Sequence, residues 1–272
     1  AGEVVSDDKV DVIIGSSTVP VAMAQGTVAT ESRIPFIALC PIAIDLPKQS
    51  YLFAVPQPIP LMVDAVVEHM KASKIRTAGY IGFSDPWGDM NYQYLTSGAQ
   101  QSGIKVSTNE RYARNDTTVT AQMLKVMATS PDAIFVGASG SPAALPQIAA
   151  VERGYRKQIY HTHGVVNRDF IRVGGKSVEG VIAPTGPVVV AEQLAADHPL
   201  RAPGMAFLGQ YEGAHGAGSR NAFAAYAWDA GLIIQAAVPV AMKSAKPGTP
   251  EFRRALRDAI ESNKDVKGTH AV

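Results

Sequence analysis

Two histidines at alternate positions, His161 and His163, close the apolar run of "IYHTHGVVN" (159–167). On a strand they project from one face, because side chains alternate with period two. Such a pair could ligate a metal, act as a base, or touch a small molecule. Three other places carry small polar groups at the start of a helix. "IIGSSTVPVA" sets Ser16, Ser17 and Thr18 at a strand-to-helix turn, where free amides and the helix dipole favour a carboxylate or other anion. The same residues could equally do no more than cap their own helix. "VGASGSPAALP" adds a second turn with Ser139, Gly140 and Ser141, small enough for close backbone approach to a ligand. "GFSDPWGDM" adds a third, in which Trp87 could cover a ligand at the carboxyl edge of a sheet or simply pack.

Catalytic and metal chemistry find little support. No HExxH occurs, no carboxylate stands near the H-x-H, and the single cysteine, Cys40, leaves no disulfide and no Cys-based zinc site. The phosphate-loop lysine, GxGxxG and the G-x-S-x-G elbow are all missing. Asp85, Asp89, Glu152 and Asp229 are scattered near expected helix ends, where capping and solvation account for them. No catalytic residue, metal or cofactor is expected, and His161 is read as a core neighbour of the site.

The elements that position these turns read as α/β. Apolar runs begin at 10 ("VDVIIGS"), 34 ("IPFIALC"), 77 ("TAGYIGFS"), 133 ("AIFVGAS"), 159 ("IYHTHG") and 180 ("GVIAPTG"). Helix-like stretches separate most of them: 60–71, 86–101, 117–129 and 142–153. Continuous apolar strands alternating with helices predict parallel sheets covered on both faces. Asp85-Pro86, Ser141-Pro142 and Thr249-Pro250 supply caps before a first-turn proline, and Asn115 or Asp116 offers another. Phe252, Leu256 and Ile260 make a core-facing stripe. Met123 and Met127 read as core filler. Residues 222–242 are apolar enough to suggest a membrane span, but Asp229, Gly231, Gln235 and Pro239 interrupt them and favour a buried helix. Two proline-rich crossovers, 46–60 and 183–203, suggest two lobes: 1–55 with 186–272, and 56–185.

Of the 272 residues 46% are apolar, and 25 basic side chains stand against 24 acidic. That balance argues against a nucleic-acid or anionic-membrane surface. No signal-peptide pattern opens the chain.

In order, "DDKVDVIIGSSTVPVAMA", "ESRIPFIALCP", "TAGYIGFSDPWGDM", "SPDAIFVGASGSPAALPQIAAVERGYR", "GVVNRDFIRVGGKSVEGVIAP" and "AYAWDAGLIIQAA" resemble a type I periplasmic binding protein, of the branched-chain amino-acid branch of ABC solute-binding subunits. The resemblance spans most of residues 5–245. It implies two Rossmann-like lobes joined by hinge strands, with a ligand in the interlobe cleft. It also implies a periplasmic monomer, ABC permease subunits as partners, and no enzymatic activity. The family has a β-α-β-α segment before the helix ending in "AGEVVSDDKVD", so roughly 60 further residues are expected ahead of Ala1, and further strands after "VKGTHAV".

Residue by residue, Ser16, Ser17 and Thr18 match the turn that holds the ligand carboxylate. Ile42 and Ala43 match the next turn, where Ile44 stands for a usual threonine. Trp87 matches a tyrosine of the second lobe, and Ser139, beside Gly140, falls where another aromatic often sits. His163 matches an acid that receives the α-ammonium group in amino-acid binders. An imidazole brings no negative charge, and a buried ammonium needs one. The expected ligand is therefore a carboxylate without an ammonium: an aromatic or bulky 2-oxo or hydroxy acid, with His163 donating to the oxo or hydroxyl oxygen. The alternatives are a branched-chain or aromatic amino-acid binder, a sensing domain of the same fold, and an α/β enzyme acting on a carboxylic acid.

Overall fold

The computed structural model describes residues 5–264 and 266–270. The first residues of the helix expected to end within 1–11, and the last two of "VKGTHAV", lie outside the described residues. In chain order the elements are β1 (Ile13–Ile14), α1 (Val19–Ser32), β2 (Phe36–Ala38), β3 (Leu52–Ala54), α2 (Ile59–Ala72), β4 (Thr77–Phe83), α3 (Pro86–Gln101), β5 (Lys105–Val106) and β6 (Glu110–Tyr112). Then follow α4 (Thr120–Ala128), β7 (Ala133–Gly137), α5 (Ala144–Glu152), β8 (Gln158–His161), α6 (Arg168–Gly174), α7 (Arg201–His215), α8 (Ala222–Ala241) and α9 (Pro250–Ser262). The fold is α/β, with parallel sheets flanked by helices.

The chain divides into two compact units, Ala1–Gln57 with Gly186–Val272, and Pro58–Thr185. The second unit has a five-stranded parallel sheet in which β4 pairs with β5, β6 and β7, and β7 with β8. β4 is its axis, buried at every position after Thr77. Glycines on β4 and β7 admit Tyr80: a Cβ on Gly82 or Gly137 would collide with the Tyr80 hydroxyl, which donates to the Gly88 carbonyl at 2.6 Å.

The first unit has a three-stranded parallel sheet, β1-β2-β3, in strands of two or three residues. Its core joins Ile37 to Ala230, Ala237 and Ala241 of α8 and to Phe252, Leu256 and Ile260 of α9. The α9 stripe is buried and Thr249 caps it, its hydroxyl accepting from the Phe252 amide at 3.2 Å. In α8, burial is confined to one stripe: Ala222, Ala225, Tyr226, Asp229, Ala230, Ala237 and Ala241 are buried, while Val240 is 52% exposed. Among the described residues α8 is the one helix long and apolar enough to cross a membrane.

Several local expectations give way. "GVIAPTG" forms no strand and meets β8 only at the Tyr160–Ile182 bridge. Asp116 does not cap α4, which has Val119 at its cap without a side-chain bond. It instead accepts from the Ala113 amide, three residues earlier, at 2.7 Å, because an Asx side chain satisfies the nearest free donor. Ser141-Pro142 opens a 3-10 turn with no side-chain cap, and α5 begins at Ala144. The second proline-rich crossover is not strand-like: it winds into a 3-10 segment over Pro187–Gln193.

Candidate ligand-binding site

Parallel neighbours end at the same edge, so turns following adjacent strands gather there. In the first unit β1 and β2 pair in register, Ile14 with Ile37, which brings the turn carrying Ser16–Thr18 beside the loop carrying Ile42 and Ala43. Ser16 Oγ accepts from the Thr18 amide at 3.1 Å and lies 3.2 Å from the Thr18 hydroxyl. Thr18 occupies the cap of α1 in extended backbone, yet makes no side-chain cap bond, and no acid stands in the first turn. The positive end of α1 is thus left for another anion. Ser17 and Ala43 are exposed, and Ile42 is half-buried. Ile44 turns elsewhere, into the wall of a cavity of about 470 Å³ that it lines with Ile37, Phe53, Ile233 and Ile260.

In the second unit β4, β7 and β8 are successive neighbours, and the turns after them carry Trp87, Ser139-Gly140 and Thr162-His163. Asp85 caps α3, its Oδ1 accepting from the Trp87 and Gly88 amides at 2.9 and 3.2 Å. Its other oxygen accepts from Arg114 Nε at 2.6 Å. Trp87, fixed at the second position of the helix, is buried against His163, ring centroids 5.5 Å apart and edge to face at 80°. Gly140 binds the next turn, its amide donating to the Gly164 carbonyl at 2.8 Å. It does so at φ +64° and ψ −162°, a conformation kept for glycine. Ser139 is half-buried, and its Cβ would lie 2.5 Å from a Cβ at Gly164. Thr162 ties the turn down by donating to the Ala138 carbonyl at 2.5 Å and accepting from the Gly164 amide at 3.2 Å. Trp87, Ser139, Gly140 and His163 therefore form one group within this unit. Thr162 was missed in the sequence, although the hydroxyl between the two histidines was its signal.

The two histidines do not share a strand face. β8 ends at His161, and His163 begins a 3-10 turn, so the alternation stops between them. His161 faces α5 and α6, its Nε2 3.1 Å from Gln147 Oε1 and its ring edge to face with Phe170 at 5.0 Å. Gln147 spends its amide nitrogen on the Ser177 carbonyl at 2.7 Å, so Oε1 must accept and His161 Nε2 must carry the proton. Full burial pushes the His161 pKa down to about 3, keeping the ring neutral. No group of three His, Cys, Asp or Glu side chains able to hold a metal ion occurs among the described residues.

Asp229, expected to be solvated near a helix end, is instead buried within α8. It accepts from the Thr269 amide at 2.7 Å, the Thr269 hydroxyl at 3.0 Å, the His270 amide at 3.2 Å and His270 Nδ1 at 3.0 Å. Its partners lie 40 and 41 residues away in sequence, so no local pattern announces them.

The family model for periplasmic binding proteins matches residues 1–271. The chain belongs to the periplasmic binding protein family. It is of type I, an extracellular ligand-binding receptor by kinship, and the family is one of receptors, not enzymes. This periplasmic binding protein is similar to an extracellular ligand-binding receptor from Rhodopseudomonas palustris. The two are 46% identical with a TM-score of 0.95, over 98% of this chain and 75% of that one. More distant structures share the fold. One is the leucine-binding protein LivK of Thermotoga maritima, at 20% identity and TM-score 0.83, covering 100% and 74% of the two chains. Another is an ABC-transporter solute-binding protein of R. palustris solved with benzoate, at 18% identity and TM-score 0.77, covering 96% and 69%. Comparison with curated proteins finds no match. The kinship implies an extracytoplasmic location.

Proposed function

We propose that this periplasmic binding protein is the monomeric solute-binding component of an ABC uptake system, taking a small carboxylate without an ammonium group and passing it to permease subunits in the periplasm. The ligand class is an aromatic or bulky 2-oxo or hydroxy acid. Ser16, Ser17 and Thr18, with the backbone at Ile42 and Ala43, are the carboxylate end. Trp87, Ser139, Gly140 and His163 meet the remainder.

One observation carries this reading. Among the described residues of the second unit, the buried polar side chains are Asn91, Gln147, His161, Thr162 and His163, and none is acidic. A desolvated ammonium would find no buried anion there, since the partly buried acid beside Trp87, Asp85, is paired with Arg114, and a buried unpaired charge costs several kcal/mol. The one buried acid of the first unit, Asp229, is committed to Thr269 and His270. The fold itself does not decide the matter, since it serves a leucine-binding protein and a protein solved with benzoate.

Thermal-shift measurements with L-leucine and L-phenylalanine against 4-methyl-2-oxopentanoate and phenylpyruvate test the proposal. A ligand at a hundredfold over its Kd adds about 2.7 kcal/mol, so the oxo acids should raise Tm clearly and the amino acids should not. Strong stabilisation by the amino acids alone would sink the proposal. His163→Glu, which restores a carboxylate, should move preference towards the amino acids.

A further inference from the structure

We infer that the Trp87 indole N–H is a specificity-determining hydrogen-bond donor, reading a neutral oxygen on the ligand that is distinct from its carboxylate. The inference rests on the reading of this corner as a ligand site and adds to it which atom discriminates.

Trp87 is 4% exposed, and its Nε1 is buried without a hydrogen-bond partner among the described residues. A buried donor left unpaired is costly and uncommon in a folded protein, and an acceptor supplied from outside the chain resolves it. Four neighbouring donors are already engaged. The Trp87 and Gly88 amides go to Asp85, the Gly140 amide to Gly164, and the Thr162 hydroxyl to Ala138. Asp85 also discharges the positive end of α3, and Arg114 is spent on Asp85. A carboxylate entering here would find the α3 terminus and Arg114 already taken by Asp85, and an indole offers it only one neutral donor. A carbonyl, hydroxyl or ether oxygen needs no more than that. The edge-to-face contact with His163 fixes the plane of the indole and therefore the direction of its N–H.

Three probes separate the atoms: 3-phenylpropanoate, which has no second oxygen, phenylpyruvate, and 3-(4-hydroxyphenyl)propanoate. By calorimetry, one oxygenated acid should bind the wild-type protein about tenfold more tightly than 3-phenylpropanoate, the scale of one hydrogen bond. Trp87→Phe should erase that ratio while changing the 3-phenylpropanoate affinity only a few-fold. If Trp87→Phe weakens all three acids alike, or the tenfold ratio survives it, the indole is packing surface and the inference is wrong. If wild-type protein ignores all three acids and binds phenylalanine, the underlying proposal fails first. A second readout avoids altering Trp87: of the two tryptophans, Trp228→Phe leaves Trp87 as the sole indole. Its emission should shift with the favoured oxygenated acid and stay put with 3-phenylpropanoate; equal responses to both would overturn the assignment.

Discussion

The two units follow the same rule, with strands ending in turns that open helices, yet they place their buried polar groups differently. In the second unit, β4 runs seven residues through the middle of its sheet, and polar groups just past the strand ends bond within their own turn and to the segment that follows the adjacent strand. Asp85 reaches two and three residues on and also holds Arg114, 29 residues on, while Thr162 holds Gly164, two residues on, and Ala138, 24 residues back. In the first unit no strand exceeds three residues. There, contacts between distant segments add to short-strand packing. Asp229 gathers Thr269 and His270, and Asp11 reaches Arg253 at 3.2 Å and the Gly248 amide at 2.7 Å. Long buried strands bring successive turns together so that ties within about 30 residues build a site, whereas the short-strand unit is also tied by side chains more than 200 residues apart.

Asp229→Ala breaks this comparison most directly. It strands four donors, two of them backbone amides, beside a buried histidine, and removing one partner of such a group costs about 3–5 kcal/mol. Hydrogen exchange should then show lost protection in residues of the first unit, around α8 and 266–270, with β4 and β7 little changed. An equal loss in both units would show that the first does not depend on this staple.

The same contrast explains what could be read from the residues alone. β4, α3 and the Asp85 cap were legible because an apolar run, a capping acid and a proline act within a few positions. Phe252, Leu256 and Ile260 were legible from their period. Asp229 was not, since its meaning depends on 269 and 270. The histidine pair misled for a subtler reason. Alternation holds only while the strand lasts, and Thr162 ends it by bonding Ala138 and Gly164. At 180–186 an apolar run suggested a strand, yet only Ile182 bridges β8. Trp87 could be placed by its helix start, but its buried N–H, without a partner among the described residues, follows from packing and carries no sequence signature.

Acidification should act on the second unit through His161. Its pKa lies near 3 in the fold against about 6.5 unfolded, so between those values the unfolded chain binds the extra proton. The contribution is fully present above pH 6.5 and is lost as pH falls towards 3, by up to about 1.4 kcal/mol per pH unit. Urea melts at pH 7.0 and 5.5 should differ by roughly that amount through this residue. His161→Asn should flatten the difference, and a variant with the wild-type slope would assign it to other groups.

The smallest effect sharpens the comparison at a single cap in each unit. Thr249 caps α9 through one bond to the Phe252 amide at 3.2 Å, and Asn167 caps the shorter α6 through one bond to the Phe170 amide at 3.0 Å. Either residue changed to Ala should cost about 1 kcal/mol, but the reach of the damage should differ. α9 packs Phe252, Leu256 and Ile260 onto α8, which holds Asp229, so fraying at Thr249→Ala should reduce exchange protection across α8 as well. Asn167→Ala frays a helix of seven residues beside turns held by their own bonds, and protection in β7 and β8 should persist. Equal spread from the two caps would mean that distant ties matter no more in the first unit than local ones do in the second.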